Sequence, residues 1–234
     1  MKHTQKISIT FAASTLAAAF LLCTTAVYTT IAHDRSCVAT TIPGTGPNYK
    51  PPITGTKLDQ YTSHPKRRLV IVTKQGTIKL QLFEKAAPNH VANIISLADS
   101  HFYDGTYFHR VIPGFMIQGG DPNTKDNDYS NDGQGNNGSN RLKAEFNAIH
   151  HERGILSMAR TPDVNSASCQ FFICVADAGF LDRQYTAFGQ VTDGIDVVDK
   201  IVNLPDVTGK PHDSNSGSNP GKAAEVIKMY VENE

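Results

Sequence analysis

Three observations predict a mainly β domain, a barrel or sandwich and not a parallel sheet. Short apolar runs of strand length, punctuated by Gly, Pro, Asn and Asp, recur from Leu69 onward. In the clearest of them Ile78, Leu80 and Leu82 alternate with Lys79 and Gln81, the pattern of a strand with one face buried and one solvated. Helical spacing occurs in only two segments, and no internal repeat is present.

The first element of the chain belongs to targeting and not to the fold. Lys2 and Lys6 precede an uncharged apolar run at 11–22, and small residues follow at 24–26 and 30–32, the layout of a secretory signal. The apolar core is shorter than the ~20 residues of a spanning helix. No charge appears between Ile7 and Ala32, so a retained membrane anchor is the alternative to cleavage. A lipoprotein reading through Cys23 is weaker, because bulky Leu22 precedes it. Either way the body of the protein is expected to be exported, periplasmic or secreted. Residues 33–66 are rich in Thr, Pro and Gly without periodicity, and read as a linker or an arm laid on the surface. The expected layout is therefore 1–32 signal or anchor, 33–66 arm, and 67–234 folded domain.

Within that domain, 69–73 and 77–83 read as strands of a hairpin turning at Lys74-Gln75-Gly76. Pro88 opens a helix in which Val91, Ile94, Ile95 and Ala98 fall on one stripe. A polar loop, dense in Asn, Asp, Gly and Ser, occupies 123–140. Strands are expected at 156–159, 170–175 and 188–191, then a helix at 194–202 with Ile195, Val198 and Val202 inward, and a closing strand at 224–231.

Composition narrows the function classes. The 234 residues suit one domain with an extension. With 22 basic and 22 acidic residues the formal charge is zero, which gives nucleic-acid binding no electrostatic support. The four Cys (Cys23, Cys37, Cys169, Cys174) are too irregularly spaced for a disulfide scaffold or a zinc site.

The most informative block is Phe108-His109-Arg110-Val111-Ile112-Pro113-Gly114-Phe115-Met116-Ile117-Gln118-Gly119-Gly120-Asp121. Read as a strand, it puts Phe108, Arg110 and Ile112 on one face, and Pro113-Gly114 turns the chain. A fixed cation then lies beside an apolar surface carrying one carboxamide, which suits a neutral, partly apolar ligand better than a phosphate or a metal.

This block resembles the signature of the cyclophilins, the cyclosporin-type peptidyl-prolyl isomerases. Two further blocks, Ile155-Leu156-Ser157-Met158-Ala159-Arg160 leading to Gln170-Phe171-Phe172-Ile173-Cys174, and Phe180-Leu181-Asp182 through Phe188-Gly189-Gln190-Val191, follow in the family's order and at nearly its spacing. The resemblance runs from about Leu69 to the C-terminus. It implies a closed eight-stranded antiparallel β-barrel capped by two α-helices. It also implies a peptidyl-prolyl cis-trans isomerase that assists the folding of exported proteins.

The chemistry required is modest. Rotation about X-Pro meets a barrier of about 18–20 kcal/mol because amide resonance is lost on the way over. An acceleration of ~10⁵-fold needs only about 7 kcal/mol of differential stabilisation, with no nucleophile, metal or general base. By the resemblance Arg110 is the donor to the twisted amide and Gln118 its catalytic partner, holding the substrate backbone. Phe115, Met116, Phe172 and Leu181 match the proline pocket, and Ala159, Arg160, Gln170, Phe180 and Tyr185 match further substrate-binding positions. Taken singly, each has a bland reading: the apolar residues as core, Arg110 as a surface ion pair, Gln118 as a turn residue. Their collective spacing decides for the site.

The resemblance is departed from where Phe180 replaces the family's common Trp, Tyr185 its common His and Arg160 a frequent Asn. Phe180 has no indole N–H, so weaker cyclosporin-type binding is expected. The alternative function is a proline-peptide binding module or chaperone with incidental isomerase activity. The expected partners are proline-containing polypeptides, with no nucleic acid, and a membrane only through a retained anchor. A monomer without cofactor or metal is expected.

Other motifs are weaker. Asp128-x-Ser130-x-Asp132-Gly133 resembles half of a calcium loop, but Ser139 stands at the twelfth position, so a solvated turn is the better reading. His150-His151 lacks helical metal spacing and is expected to be solvent-exposed. Ser168-Cys169 invites a nucleophile reading, which a buried thiol at the head of the 170–175 strand explains better.

Overall fold

The short apolar runs become paired strands in the computed structural model, which describes residues 49–126, 128–136, 140–209 and 217–233. The expected signal or anchor at 1–32 and the first part of the arm, with Cys23 and Cys37, lie outside these residues. The elements are α1 (Gly55–Asp59), β1 (Arg67–Thr73), β2 (Gly76–Leu82), α2 (Pro88–Asp99), β3 (Arg110–Ile112), β4 (Met116–Gly119), β5 (Ile155–Met158), β6 (Phe171–Cys174), β7 (Ala187–Asp193), α3 (Ile195–Val202) and β8 (Val226–Asn233). All strand pairs are antiparallel and form one sheet in the order β3-β4-β6-β5-β7-β2-β1-β8.

Two expectations need correction. The sheet is curled but its ladder is open, with β3 and β8 as its edges, and not the closed barrel expected. Between those edges, among the described residues, lie the isolated bridges Tyr107↔Glu225 and Val111↔Ser218 and single hydrogen bonds such as Gly105 N to Val226 O and Val226 N to Thr106 O, both at 2.8 Å. The reason lies in 217–221, where Gly217 and Gly221 adopt positive φ and Pro220 has no N–H to donate, so this stretch cannot continue a ladder. The second correction is a third helix, the short α1, inside the presumed arm.

Residues 49–62 are bound to the sheet. Gln190 exchanges two hydrogen bonds with the Ile53 backbone, Ile53 N to Gln190 Oε1 at 2.9 Å and Gln190 Nε2 to Ile53 O at 2.7 Å. Ile53 itself is buried with Phe83, Ile149, Ile155 and Ala187. Burying a side chain of this size contributes about 1.5–3 kcal/mol, enough to hold a segment that has no strand of its own.

The main core joins the inner faces of β1 and β2 (Leu69, Ile71, Ile78, Leu80) to Val91, Ile94 and Ala98 of α2 and to Val198, Ile201 and Val202 of α3. Tyr103, Phe108, Phe171 and Phe188 fill its centre. Phe108 therefore leaves the face that alternation gave it. The strand begins only at Arg110, so Phe108 joins Val111 and Ile117 in this core while Arg110 and Ile112 face the other way.

Helix α2 begins at Pro88, whose missing N–H costs nothing at a first helical position. Its N-cap residue, Ala87, makes no side-chain cap. Glu145 substitutes from a distant loop, accepting from Asn89 N at 3.1 Å and His90 N at 3.0 Å. Burial would raise the Glu145 pKa, but these bonds and the one with the His90 side chain hold it below the ordinary value. Removing the carboxylate in Glu145→Ala is expected to cost about 1–2 kcal/mol, as lost helix caps do. Urea denaturation measures it, and a loss below ~0.5 kcal/mol would show that α2 starts without this cap.

Candidate active site

The β3–β4 hairpin builds the first half of the site. Gly114 takes φ +76° in the turn, a conformation open to Gly at no steric cost, and Phe115 N returns to Ile112 O at 3.0 Å. Register then sets Arg110 opposite Gln118, Gln118 opposite Phe172, and Phe172 opposite Ser157. One face of four adjacent strands thus carries a cation, an amide, an aromatic ring and a hydroxyl in a row. The opposite face presents Val111, Ile117, Ile173 and Leu156 to the core.

The polar members are chained together. Arg110 Nη1 donates to Gln118 Oε1 at 3.3 Å, Gln118 Nε2 donates to Gln170 Oε1 at 3.0 Å, and Gln170 Nε2 donates to the carbonyls of Gly133 and Gly135 at 3.0 and 2.8 Å. Each amide is oriented by the next, and the last is fixed by the polar loop. That loop is pinned by Asp121, which accepts from the backbone of Asn123, Gly133 and Gly135. Gly120 permits the close approach: a Cβ there would sit 2.6 Å from the Cys169 carbonyl oxygen.

Beside this chain lies a cavity of about 270 Å³ whose walls include Arg110, Phe115, Met116, Phe172, Leu181 and Tyr185. Gln118, Ala159, Arg160 and Phe180 complete it, so ten of the eleven expected site residues meet here and Gln170 stands one hydrogen bond behind. Phe180 is 65% exposed and leans on Phe115, ring centroids 5.3 Å apart. It forms the outer lip. Arg110 is half-buried; burial lowers its pKa and Tyr185 opposes that, but a guanidinium stays charged throughout the physiological range. A second cavity of about 400 Å³ shares Gln118, Ala159 and Arg160 with the first, takes in Gln170, and is otherwise polar.

Residues 68–221 match the family model of the cyclophilin type peptidyl-prolyl cis-trans isomerases. The chain belongs to that family. A probable peptidyl-prolyl cis-trans isomerase of Brucella suis is 40% identical over 172 residues, 72% of this chain and 84% of the relative. The peptidyl-prolyl cis-trans isomerase of Acinetobacter baylyi is 42% identical over 165 residues, 68% of this chain and 82% of that one. A cyclophilin type isomerase of Cryptosporidium parvum, crystallised in the presence of the dipeptide Ala-Pro, superposes with a TM-score of 0.61 at 27% identity, covering 71% of this chain and 99% of the other.

In this cyclophilin type chain several motifs settle into structural roles. Arg160 spends its donors on Gln184 O (3.1 and 3.0 Å) and Thr161 O (2.9 Å) and lies 4.5 Å over the Tyr185 ring. It acts as a wall that holds Tyr185. Cys169 is buried in the core, and its backbone carbonyl accepts from the Tyr103 hydroxyl at 2.9 Å. Asp128 bonds Ser130, while Asp132 accepts from Tyr107 and Asn219.

The histidine pair corrects its expectation. His150 is half-exposed, but His151 is only 1% exposed. Sequence reasoning missed this because the pair sits in a loop, where burial has no periodicity to reveal it. His150 Nδ1 meets Asp182 Oδ2 at 2.6 Å and Nε2 meets Asp177 Oδ2 at 2.7 Å. The hydrogen bonds to Asp182 and then Asp177 raise the His150 pKa to about 8. Against burial, the histidines hold Asp182 down at about 2. Because His150 is raised in the folded state, its stabilisation is complete below its ordinary 6.5 and is lost as pH rises through about 8. An NMR titration of His150 checks this, and a midpoint at or below 6.5 would contradict it.

Proposed function

We propose that the groove beside Arg110 is where this isomerase turns X-Pro bonds, in exposed segments of exported polypeptides. One observation carries the reading: a half-buried guanidinium, oriented by Gln118 across the β3–β4 ladder, faces an apolar cavity lined by Phe115, Met116, Phe172 and Leu181. The proline ring occupies the cavity. As the amide twists, its nitrogen becomes pyramidal and basic, and Arg110 donates toward it, favouring the localised lone pair. Gln118 has a second amide hydrogen for the substrate backbone, which holds one end while the other rotates. Phe180 and Tyr185 flank the entrance, and the chain continues over Ala159 toward Gln170 and the polar cavity. No bond is broken, so positioning and one preorganised cation suffice.

In this reading residues 1–32 export the protein or anchor it, 33–66 form an arm, and 67–234 carry the activity as a monomer. The test is the cis-trans exchange rate of an Ala-Pro peptide with and without the full chain. Acceleration well above the uncatalysed rate is expected, and its absence would overturn the proposal. Mass spectrometry of the mature N-terminus in membrane and soluble fractions tests export.

A further inference from the structure

Behind the pocket, His151 makes contacts that its loop position gives no reason to expect. Its ring stacks against Phe172, centroids 6.3 Å apart and planes 18° apart, while Tyr185 meets Phe172 edge-on at 5.9 Å. Its Nδ1 and backbone N both lie 2.9 Å from Asp182 Oδ1, and its Nε2 lies 2.9 Å from Ser157 Oγ. Asp182 directly follows Leu181, on the turn that carries Phe180, Leu181 and Tyr185. That turn belongs to no strand. Its own backbone bonds, such as Tyr185 N to Leu181 O at 3.1 Å, are internal to it. Its hydrogen bonds to the rest of the groove run from Asp182 to the histidine pair, from Gln184 O to Arg160 and, at its start, from Ala178 N to His151 O at 2.7 Å.

We propose that His151 is a positioning residue for the isomerisation, backing Phe172 with its ring while tying Asp182 to Ser157, and so fixing the distance between pocket floor and outer wall. This rests on the groove being the isomerisation site. The order of contacts, Asp182 to His151 to Ser157, copies that of a Ser-His-Asp triad, but chemistry of that kind is barred. Ser157 is fully buried and its Oγ also reaches Thr186 O at 3.0 Å, so no acyl group can approach it. The protons are accounted for without a reaction. Burial keeps the His151 pKa below its ordinary value despite Asp182, so the ring is neutral at neutral pH. Nδ1–H then donates to Asp182, and the Ser157 hydroxyl shares its single hydrogen between Nε2 at 2.9 Å and Thr186 O at 3.0 Å. Thr186 O is not orphaned, because Met158 N donates to it at 3.1 Å. Every polar atom of the ring is satisfied, which locks its orientation and with it the face offered to Phe172.

The experiment compares the full chain with His151→Ala, His151→Asn and Asp182→Asn, measuring kcat and KM separately on an Ala-Pro peptide. A loosened pocket weakens ground state and transition state alike, so KM should rise about fivefold in His151→Ala while kcat stays within about twofold. Asp182→Asn should move KM in the same direction. His151→Asn, which keeps a donor toward Asp182, should recover part of the loss. A role confined to folding would lower apparent kcat with the amount of native enzyme and leave KM unmoved, and that result overturns the proposal. Should His151→Ala not fold, the two amide variants, His151→Asn and Asp182→Asn, decide by the same split. An inactive wild type, or kcat unchanged in Arg110→Ala, would instead sink the site reading beneath it.

Discussion

Arg110→Ala is expected to lower kcat/KM for X-Pro exchange by about 10²–10³, the loss typical of removing one preorganised donor from a developing charge, with the fold intact. The barrier to be lowered is electronic, and among the residues lining the cavity Arg110 and Arg160 are the cations. Arg160 is committed to Gln184 and Thr161, so it cannot take over the role. Gln118 is short of charge and already accepts from Arg110. Arg110→Lys should restore only part of the rate, because an ammonium lacks the planar fork that reaches Gln118 and the amide together. The thermal midpoint should barely move, since Arg110 is half-buried on the edge strand β3 and exposed or edge polar contacts contribute about 0–1 kcal/mol. Exchange NMR on a peptide, with a melting curve on the same sample, measures both. Equal turnover in Arg110→Ala and wild type would remove the guanidinium from the mechanism.

What the sequence made legible follows from physics that is local. The inward Ile78, Leu80 and Leu82 and the Val91, Ile94, Ala98 stripe are legible because burial of one face imposes its period on consecutive residues, whereas Gln81, expected on a solvated face, is buried under Thr62 and His64, to which it donates. The site residues were readable only through resemblance. Arg110, Gln118, Phe172 and Ser157 form one row because of register across three strand pairs, and nothing in their separate neighbourhoods encodes that register. The open edge between β3 and β8, the docking of Ile53 on Gln190 and the burial of His151 were illegible for the same reason. Each depends on loops whose placement is decided by distant partners. Phe108 shows the converse, a correct period applied two residues too early, before the strand had begun.

Adjacent residues of β6 should separate stability from activity. Phe171 and Phe172 are consecutive, so their rings point to opposite faces of the sheet. Phe171 lies in the core, edge-on to Tyr103 at 5.7 Å and to Phe108 at 6.0 Å. Phe172 floors the groove. Phe171→Ala leaves a closed void among rings that cannot collapse into it, and should cost about 3–5 kcal/mol, a large part of a typical domain's stability. Its thermal midpoint should fall by roughly 6–20 °C, while activity per folded molecule at low temperature stays within about twofold. Phe172→Ala opens its void onto the groove, where water can enter. The stability loss should therefore be smaller, about 1–2 kcal/mol. Its activity should fall at least about tenfold, because the proline ring loses the surface that holds it while the bond turns. Melting curves and exchange rates on the two variants form a crossed pair. If Phe172→Ala kept full turnover, the apolar cavity would not be where proline sits; if Phe171→Ala melted like wild type, the aromatic cluster would not be what holds β6 to the core.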